Sequence, residues 1–411
     1  MTEPCDVPGL LGVDAAIARL VGIARQQLPD SERVALNAAT GRVLAADVQS
    51  AMDVPPQANS AMDGIAFCHA DLPASGELRI SQRIAAGHVP APLQKNTAAR
   101  IFTGAILPAG ADTVAMQENC EFFADSVRLK DIPAVAANVR PAGQDVQKGT
   151  TIVQAGARID AAAAGLLAST GLADVPVYKR LRVAVLATGD ELLEPGEAWR
   201  SGCIYNSNRP LLAALLSGWG CEVVDLGRVA DSLAATEAAL QKAVAEKVDV
   251  IISSGGVSVG EEDHVKAALQ RLGRLDFWKI AIKPGKPVAM GDIGGIPFMG
   301  LPGNPQSVFI TALLLARPFL LARQGQQNIR PHAFALPAGF SREKAADRRE
   351  YVRVQIRSSA SGPVLQLHPQ QSSGALMSSV WADGLALLEA GASFEAGQAI
   401  PFLPFSTLYQ P

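Results

Sequence analysis

The sequence predicts a multidomain protein of the α/β plus β class: a parallel α/β sheet domain, a β-rich insertion and a C-terminal β-barrel. Three observations carry that prediction. From Leu181 the strand-like runs RVAVLAT, GCEVVDLGRV, VDVIISS and LDFWKIAI alternate with helical patterns at Asn208 to Leu216, Leu233 to Glu246 and Asp263 to Leu272, the order of a parallel sheet covered on both faces. From about Gly64 to Arg140 short β-like pieces are separated by Gly and Pro. From about Arg330 helical periodicity gives way to five or so short strands ending in FLPFSTL. The resulting units are 1–50 with 140–178 (mixed α+β and discontinuous), 51–139 (the β-rich insertion), 179–328 (α/β) and 329–411 (the barrel).

Length and composition agree with this division. A chain of 411 residues is too long for one core. It is 48% hydrophobic and 18% charged with a net charge of −3, so no basic face for nucleic acid is expected. No apolar run of membrane-span length is read, and MTEPCDVPGL lacks the basic-then-apolar layout of a signal peptide, which points to the cytoplasm. The five cysteines (Cys5, Cys68, Cys120, Cys203, Cys221) and five histidines are scattered without zinc-site spacing and read as structural.

Taken in order, Val13 to Leu28 carries Ile17, Leu20, Val21, Ala24 and Leu28 at helical spacing, with Asp14 near its start. SERVALNAATGRVLAADV reads as strand, short helical turn and strand. VPPQANSAMDGIAF is a proline-constrained loop gathering Asn59, Ser60 and Asp63, where Asp63 either satisfies its own turn or serves a ligand. IFTGAILPAGAD places Thr103 and Gly104 in a second polar turn, and Asp145 sits in the turn Gly143 to Gly149. DAAAAGLLASTG then reads as a helix.

In a parallel α/β sheet the ligand crevice lies beyond the carboxyl ends of the strands. Thr188, Gly189, Asp190 and Glu191 fall there after the first strand, and Asp231 after the second. The third, Val250 to Ile252, is followed by Ser253, Ser254, Gly255, Gly256, Ser258 and Gly260 and then by Glu261, Glu262 and Asp263. Its glycines let backbone N–H groups approach an oxyanion, and its acidic cluster suits helix capping or a metal. The loop matches neither the Walker nor the Rossmann pattern. Lys283 and Lys286 follow the fourth strand, and LPGNPQSV, with Asn304 and Ser307, opens a long apolar helix toward Leu321. On the later strand REYVRVQI, Arg349, Arg353 and Arg357 share one face by the period-two rule, as a solvated basic face or a binding one. PQQSSGALMSS offers Ser372 and Ser373 in another anion-facing turn.

Asp190, Glu191, Asp231 and Asp263 are hard oxygen ligands suited to Mg²⁺, and Lys279, Lys283 and Lys286 in KIAIKPGKP are cations near them. Together with a glycine-rich nest they point to an Mg²⁺-dependent enzyme acting on an anionic, phosphorylated ligand.

At this point NSAMDGIAF, TGDEL, SSGGVSVGEEDH, KIAIKPGKP and LPGNPQSV, in this order and at these separations, resemble the molybdopterin molybdenumtransferase family, the MoeA proteins and the gephyrin E domain, over nearly the whole chain. The resemblance implies an elongated homodimer with sites shared between chains. It also implies an Mg²⁺-dependent insertion of molybdate into the dithiolene of adenylylated molybdopterin, with release of AMP. By motif, Asp63, Glu191, Asp263, Lys279 and Lys283 would be catalytic, and Glu191, Asp231 and Asp263 would hold the metal. Substrate binding would fall to Thr103, Thr188, Gly189, Asp190, Ser254, Gly255, Gly256, Ser258, Gly260, Lys286, Pro302, Asn304, Ser307, Arg353 and Ser373, with Asp145 and Ser372 beside them. Ile65 departs from the tyrosine often found after AMDG. The implied partners are small pterin and oxyanion substrates, a second copy of the chain and other cofactor-biosynthesis proteins, with no nucleic acid and no membrane. Two other functions stay open: a molybdopterin adenylyltransferase, opposed by the extra domains, and a non-catalytic pterin-binding scaffold, opposed by the intact carboxylates.

Overall fold

The computed structural model describes residues 10–257, 264–360 and 362–410. Ser258, Gly260 and Asp263, with Glu261 and Glu262, lie outside the described residues.

The architecture grows from Val250–Ser254, five consecutive buried residues led by β-branched side chains. Val250 and Ile252 face one core with Val183 and Val185, whereas Ile251 faces another with Ala184 and Leu186, as the two-residue period requires. The first core is closed by the helices Val13–Ala24 and Asn208–Gly218 and by the long helix Pro305–Arg323, through Leu20, Leu212, Leu216 and Phe319. The second is closed by Leu233–Ala245 and His264–Leu272, through Leu240 and Leu269. Trp219, fully buried, ties the first core to the chain's end by donating from Nε1 to the Leu408 carbonyl at 2.9 Å.

The sheet order is Glu222–Val229, Arg182–Thr188, Val250–Ser254, Ile296–Leu301, Pro287–Ile293, Gly273–Lys279. The first four strands run parallel and the last two join antiparallel. This corrects the expectation of a purely parallel sheet in which LDFWKIAI follows VDVIISS. That segment is the edge strand, and Ile296–Leu301 takes the place beside Val250–Ser254. The cause is local: Gly294 and Gly295 both have positive φ (59° and 86°), the two-residue turn that folds its flanking strands into an antiparallel hairpin.

Upstream, Ser31–Ala35 pairs with Asp174–Tyr178 and Val48–Gln49 with Thr151–Val153, around Leu44, Ile159, Leu167 and Val177. Asp160 caps the helix Ala161–Ser169, its Oδ1 accepting from Ala163 N at 2.8 Å. Between these pairs a six-stranded sheet is inserted, with Thr97–Ile101 and Glu77–Ile84 at its centre, Gly64–Phe67 beside Thr97–Ile101, and Asn59–Ser60 paired with Val139–Arg140.

After Phe334 a further sheet is built on Arg349–Ser359, which pairs with Gly362–Leu367, Gly384–Leu388 and Ile282–Lys283. Phe334–Pro337 lies at the far end of this order, and a bridge from Ala338 to Leu365 curls the sheet back on itself. Ile282–Lys283 comes from the α/β segment, so this pairing fastens the C-terminal unit beside the rim. Pro305–Arg323, the long apolar helix expected toward Leu321, is long and apolar enough to cross a membrane by length and composition, which corrects the reading that no run has that length, but 94% of its most apolar stretch is buried inside the fold.

Candidate functional site

The carboxyl ends of Arg182–Thr188, Glu222–Val229, Val250–Ser254 and Ile296–Leu301 open into one pocket of about 830 Å³. Thr188, Gly189, Glu191 and Asp231 line it from the first two strands. Ser254, Gly255 and Gly256 form its floor, and Pro302, Asn304 and Ser307 contribute the start of the long helix. Lys283 and Lys286 come from the turn after the edge strand, and Ser372 and Ser373 close the wall from the C-terminal unit.

Gly255 and Gly256 have φ of 85° and 65°. A Cβ on Gly255 would stand 2.8 Å from the Thr188 carbonyl oxygen, and one on Gly256 would stand 2.4 Å from Val265 Cγ2. Glycine is therefore needed both for the turn and for its close approach to the neighbouring strand. The floor also carries unmet polar atoms. Thr188 Oγ1, Ser254 Oγ and Asn208 Oδ1, on pocket-lining residues, and Ser253 Oγ behind them are buried without a hydrogen-bond partner. Leaving such a group unsatisfied costs about 1–3 kcal/mol, and for these four, just behind the cavity surface, a polar ligand toward which the side chains turn would remove that cost.

The pocket is electrostatically mixed. Glu191 and Asp231 supply carboxylates, and Lys283, Lys286 and Arg348 supply cations. Hard oxygens beside orphaned hydroxyls suit Mg²⁺ in donor chemistry. Among the described residues no three or more His, Cys, Asp or Glu side chains gather closely enough to hold a metal. Asp263, the third carboxylate expected here, lies outside the described residues.

Several expected residues are placed elsewhere. Asp190 is not in the lining: its Oδ1 accepts the Asp231 backbone N–H at 3.0 Å and so ties two rim loops together. Lys279 ends the edge strand outside the lining, its carbonyl accepting from Leu11 N at 3.1 Å. Asp63 and Thr103 lie in the inserted unit, away from this pocket, and bind each other: Asp63 Oδ1 accepts from Thr103 N at 2.7 Å and from Thr103 Oγ1 at 2.8 Å. Those two bonds hold the Asp63 carboxyl below its usual range. Asp145 is exposed in a turn whose backbone bonds to the Val54 carbonyl.

Arg353 is also corrected. It is neither part of a solvated basic face nor in the pocket lining: it is 1% exposed, with Nε donating to Ser378 Oγ at 3.0 Å and Nη2 to the Ser372 carbonyl at 3.2 Å. Burial pushes its guanidinium down to about 10. Its place is behind the wall, holding the Ser372 turn against the pocket.

The sequence reading missed Asn206, Asn208, Arg348 and Gln371, all of which line the pocket. Asn208 donates from Nδ2 to the Gly303 carbonyl at 2.7 Å, joining the two helix starts on either side of the opening. The polar run Asn206-Ser207-Asn208 directly before an apolar helical pattern was the available signal for that edge. Gln371 lies in PQQSSGALMSS beside the serines read there, whereas Arg348 carried no signal, since the pairing that brings it in is entirely long-range.

Comparison with known proteins is consistent across the chain. Residues 11–171 match the family model of the MoeA N-terminal region (domain I and II), 184–322 that of a probable molybdopterin binding domain, and 335–405 that of the MoeA C-terminal region (domain IV). The molybdopterin molybdenumtransferase of Haemophilus influenzae is 40% identical over 353 residues, covering 84% of this chain and 85% of the relative. Molybdopterin molybdenumtransferase 2 of Mycobacterium tuberculosis is 36% identical, covering 82% and 86%. A crystal structure of a molybdopterin biosynthesis MoeA protein from Pyrococcus horikosii superposes with a TM-score of 0.79 at 29% identity, covering 96% of this chain and 99% of that one.

Proposed function

The chain belongs to the molybdopterin molybdenumtransferase family, transferases of molybdenum cofactor biosynthesis, and from that premise we propose that its pocket inserts molybdate into adenylylated molybdopterin, with Mg²⁺-dependent release of AMP. The observation that supports this most is the pocket floor: two positive-φ glycines and four orphaned polar groups, flanked by two carboxylates and three cations. A phosphate ester needs such a mixture, because backbone N–H groups and hydroxyls satisfy its oxygens while cations offset their charge.

In this reading Ser254, Gly255, Gly256 and Thr188 cradle a phosphate, Asn304 and Ser307 meet it at the start of the long helix, and Lys283 and Lys286 carry the opposing charge. Ser258 and Gly260, outside the described residues, are given to the same phosphate by the motif alone. Glu191 and Asp231, with Asp263, would hold Mg²⁺, which when bound supplies positive charge to the phosphoryl oxygens. The substrate brings two sulfurs of its own, so the chain needs no cysteine ligand for molybdenum. Two thiols replacing one oxygen of molybdate release one water, cleavage of the pyrophosphate to free AMP consumes one, and neither step changes an oxidation state. Lys279 stands next to this rim, and the reading gives it, together with Lys283, the oxyanion as well as the phosphate.

Asp63 and Thr103 take part only if a second copy of the chain brings its inserted unit to the pocket, and the proposal therefore includes a homodimer with shared sites. The decisive assay supplies purified protein with adenylylated molybdopterin, molybdate and Mg²⁺. AMP and loaded cofactor should form together without ATP use. Consumption of ATP in place of AMP release would replace this reading by an adenylyltransferase, and binding without turnover would make the chain a scaffold.

A further inference from the structure

We infer that Glu350 is a positioning residue for Lys283, fixing that cation at the pocket from the C-terminal unit; the inference rests on the proposed role of Lys283 in meeting the anionic substrate. Ile282–Lys283 leaves the α/β sheet and pairs in parallel with the first residues of Arg349–Ser359, setting Lys283 beside Glu350. Lys283 Nζ lies 2.5 Å from Glu350 Oε1. The other carboxylate oxygen, Oε2, accepts from Arg342 Nη2 at 2.8 Å. Arg342 is itself fixed: it is 8% exposed, donates from Nη1 to the Glu389 carbonyl at 3.1 Å, and exchanges backbone hydrogen bonds with Phe394.

The two ends of this chain of contacts differ in freedom. The Glu350 side chain is 14% exposed and anchored from behind, whereas that of Lys283 is 55% exposed. An isolated exposed ion pair does little, because both long side chains must be ordered to form it. Here one partner is already ordered, so only the lysine is restrained, and its ammonium keeps two further N–H donors for a ligand. The charges of Arg342, Glu350 and Lys283 sum to +1, so Arg342 offsets the carboxylate from behind and the charge of Lys283 is not cancelled. The backbone is pinned from the same strand start, with Arg348 Nη1 donating to the Ile282 carbonyl at 3.1 Å. Glu350 does not line the pocket, so it acts on the oxyanion through Lys283 alone.

The test measures molybdate binding by equilibrium dialysis, and KM and kcat in the AMP-release assay, for the full chain carrying Lys283→Met, Glu350→Gln, both changes, or Glu350→Asp. Lys283→Met should weaken molybdate binding about tenfold or more. Glu350→Gln should raise the molybdate KM about threefold to tenfold with kcat kept within about twofold, the signature of a lost positioning contact in the bound ground state. In the Lys283→Met background Glu350→Gln should add nothing beyond about twofold, because its route of action is gone. Glu350→Asp, which keeps the charge, should recover part of the KM loss and keeps the test usable if Glu350→Gln folds poorly. A normal KM in Glu350→Gln alongside a weakened Lys283→Met overturns the inference and leaves the functional reading standing. Equal losses from Glu350→Gln with and without Lys283 also overturn it, since Glu350 would then act on the fold. Unchanged binding in Lys283→Met removes the lysine from the site and fails both.

Discussion

The rim after Val250–Ser254 and the turn around Asp63 are both short polar stretches beside buried strands, with positive-φ glycines at Gly255, Gly256 and Gly104. At the Asp63 turn most polar groups answer one another: the carboxylate accepts from both donors of Thr103, and Gly104 N donates to the Ser60 carbonyl, while Asn59 Oδ1 alone of this loop is buried without a partner. At the rim they do not, and Thr188, Ser253 and Ser254 keep buried hydroxyls without partners. A segment whose polar groups are mutually satisfied is complete as folded. One that leaves several of them orphaned beside a cavity is stabilised further only by something that enters it.

The comparison can be broken first at the strand that carries the rim. Ile252 is fully buried, and Ile252→Ala should cost about 2–5 kcal/mol, read as a lower urea midpoint for the α/β unit. A midpoint within error of the parent would mean that this strand does not anchor the loop. The glycines sharpen the contrast. Gly256→Ala and Gly104→Ala each place a side chain at positive φ, a strain of about 1–2 kcal/mol. A Cβ at Gly256 additionally meets Val265 Cγ2, whereas at Gly104 there is nothing within 4 Å. Gly256→Ala should therefore lose more stability than Gly104→Ala, and substrate binding with it; equal losses would show that strain alone governs both turns.

The hydroxyls separate the regions next. Thr188→Val removes an orphaned group and should leave the ligand-free protein unchanged or up to about 1 kcal/mol more stable, while weakening substrate binding. Thr103→Val breaks a bond that is made and should destabilise, with its effect on binding falling at the second copy's pocket. Unaltered substrate affinity in Thr188→Val would take that hydroxyl out of the site.

The smallest effect is titration of Asp63. Its folded pKa is lowered from 3.8 by Thr103, so its contribution to stability is complete above that ordinary value and is lost as pH falls through the lowered one. Carboxyl NMR should show Asp63 titrating below its usual range, and closer to it in Thr103→Val. An unshifted carboxyl in the parent would refute the pairing.

Much of the rim was legible in sequence because its causes are local. VDVIISS alternates core faces residue by residue, GG follows it at once, and the loops after each parallel strand converge by the geometry of the sheet. The hairpin at Gly294 and Gly295 was equally local but was not read, and with it the antiparallel edge was missed. Asp190 was assigned to binding by its place after the first strand and Arg353 by motif. Each proves to hold a loop in place, a distinction that burial and partners make and side-chain chemistry does not.

The sequence by itself determined the buried strand, the open glycine turn, the helices around them and the family to which the chain belongs, because period, turn chemistry and motif spacing are written within short windows. Only the tertiary structure decided the order of strands in the mixed sheet, the burial of Arg353, and the pairing of Ile282–Lys283 with Arg349–Glu350 that brings Arg348 to the pocket and Glu350 to Lys283. The reason is physical. These outcomes depend on which distant segments share hydrogen bonds and exclude water together, and no local periodicity in the chain encodes that choice.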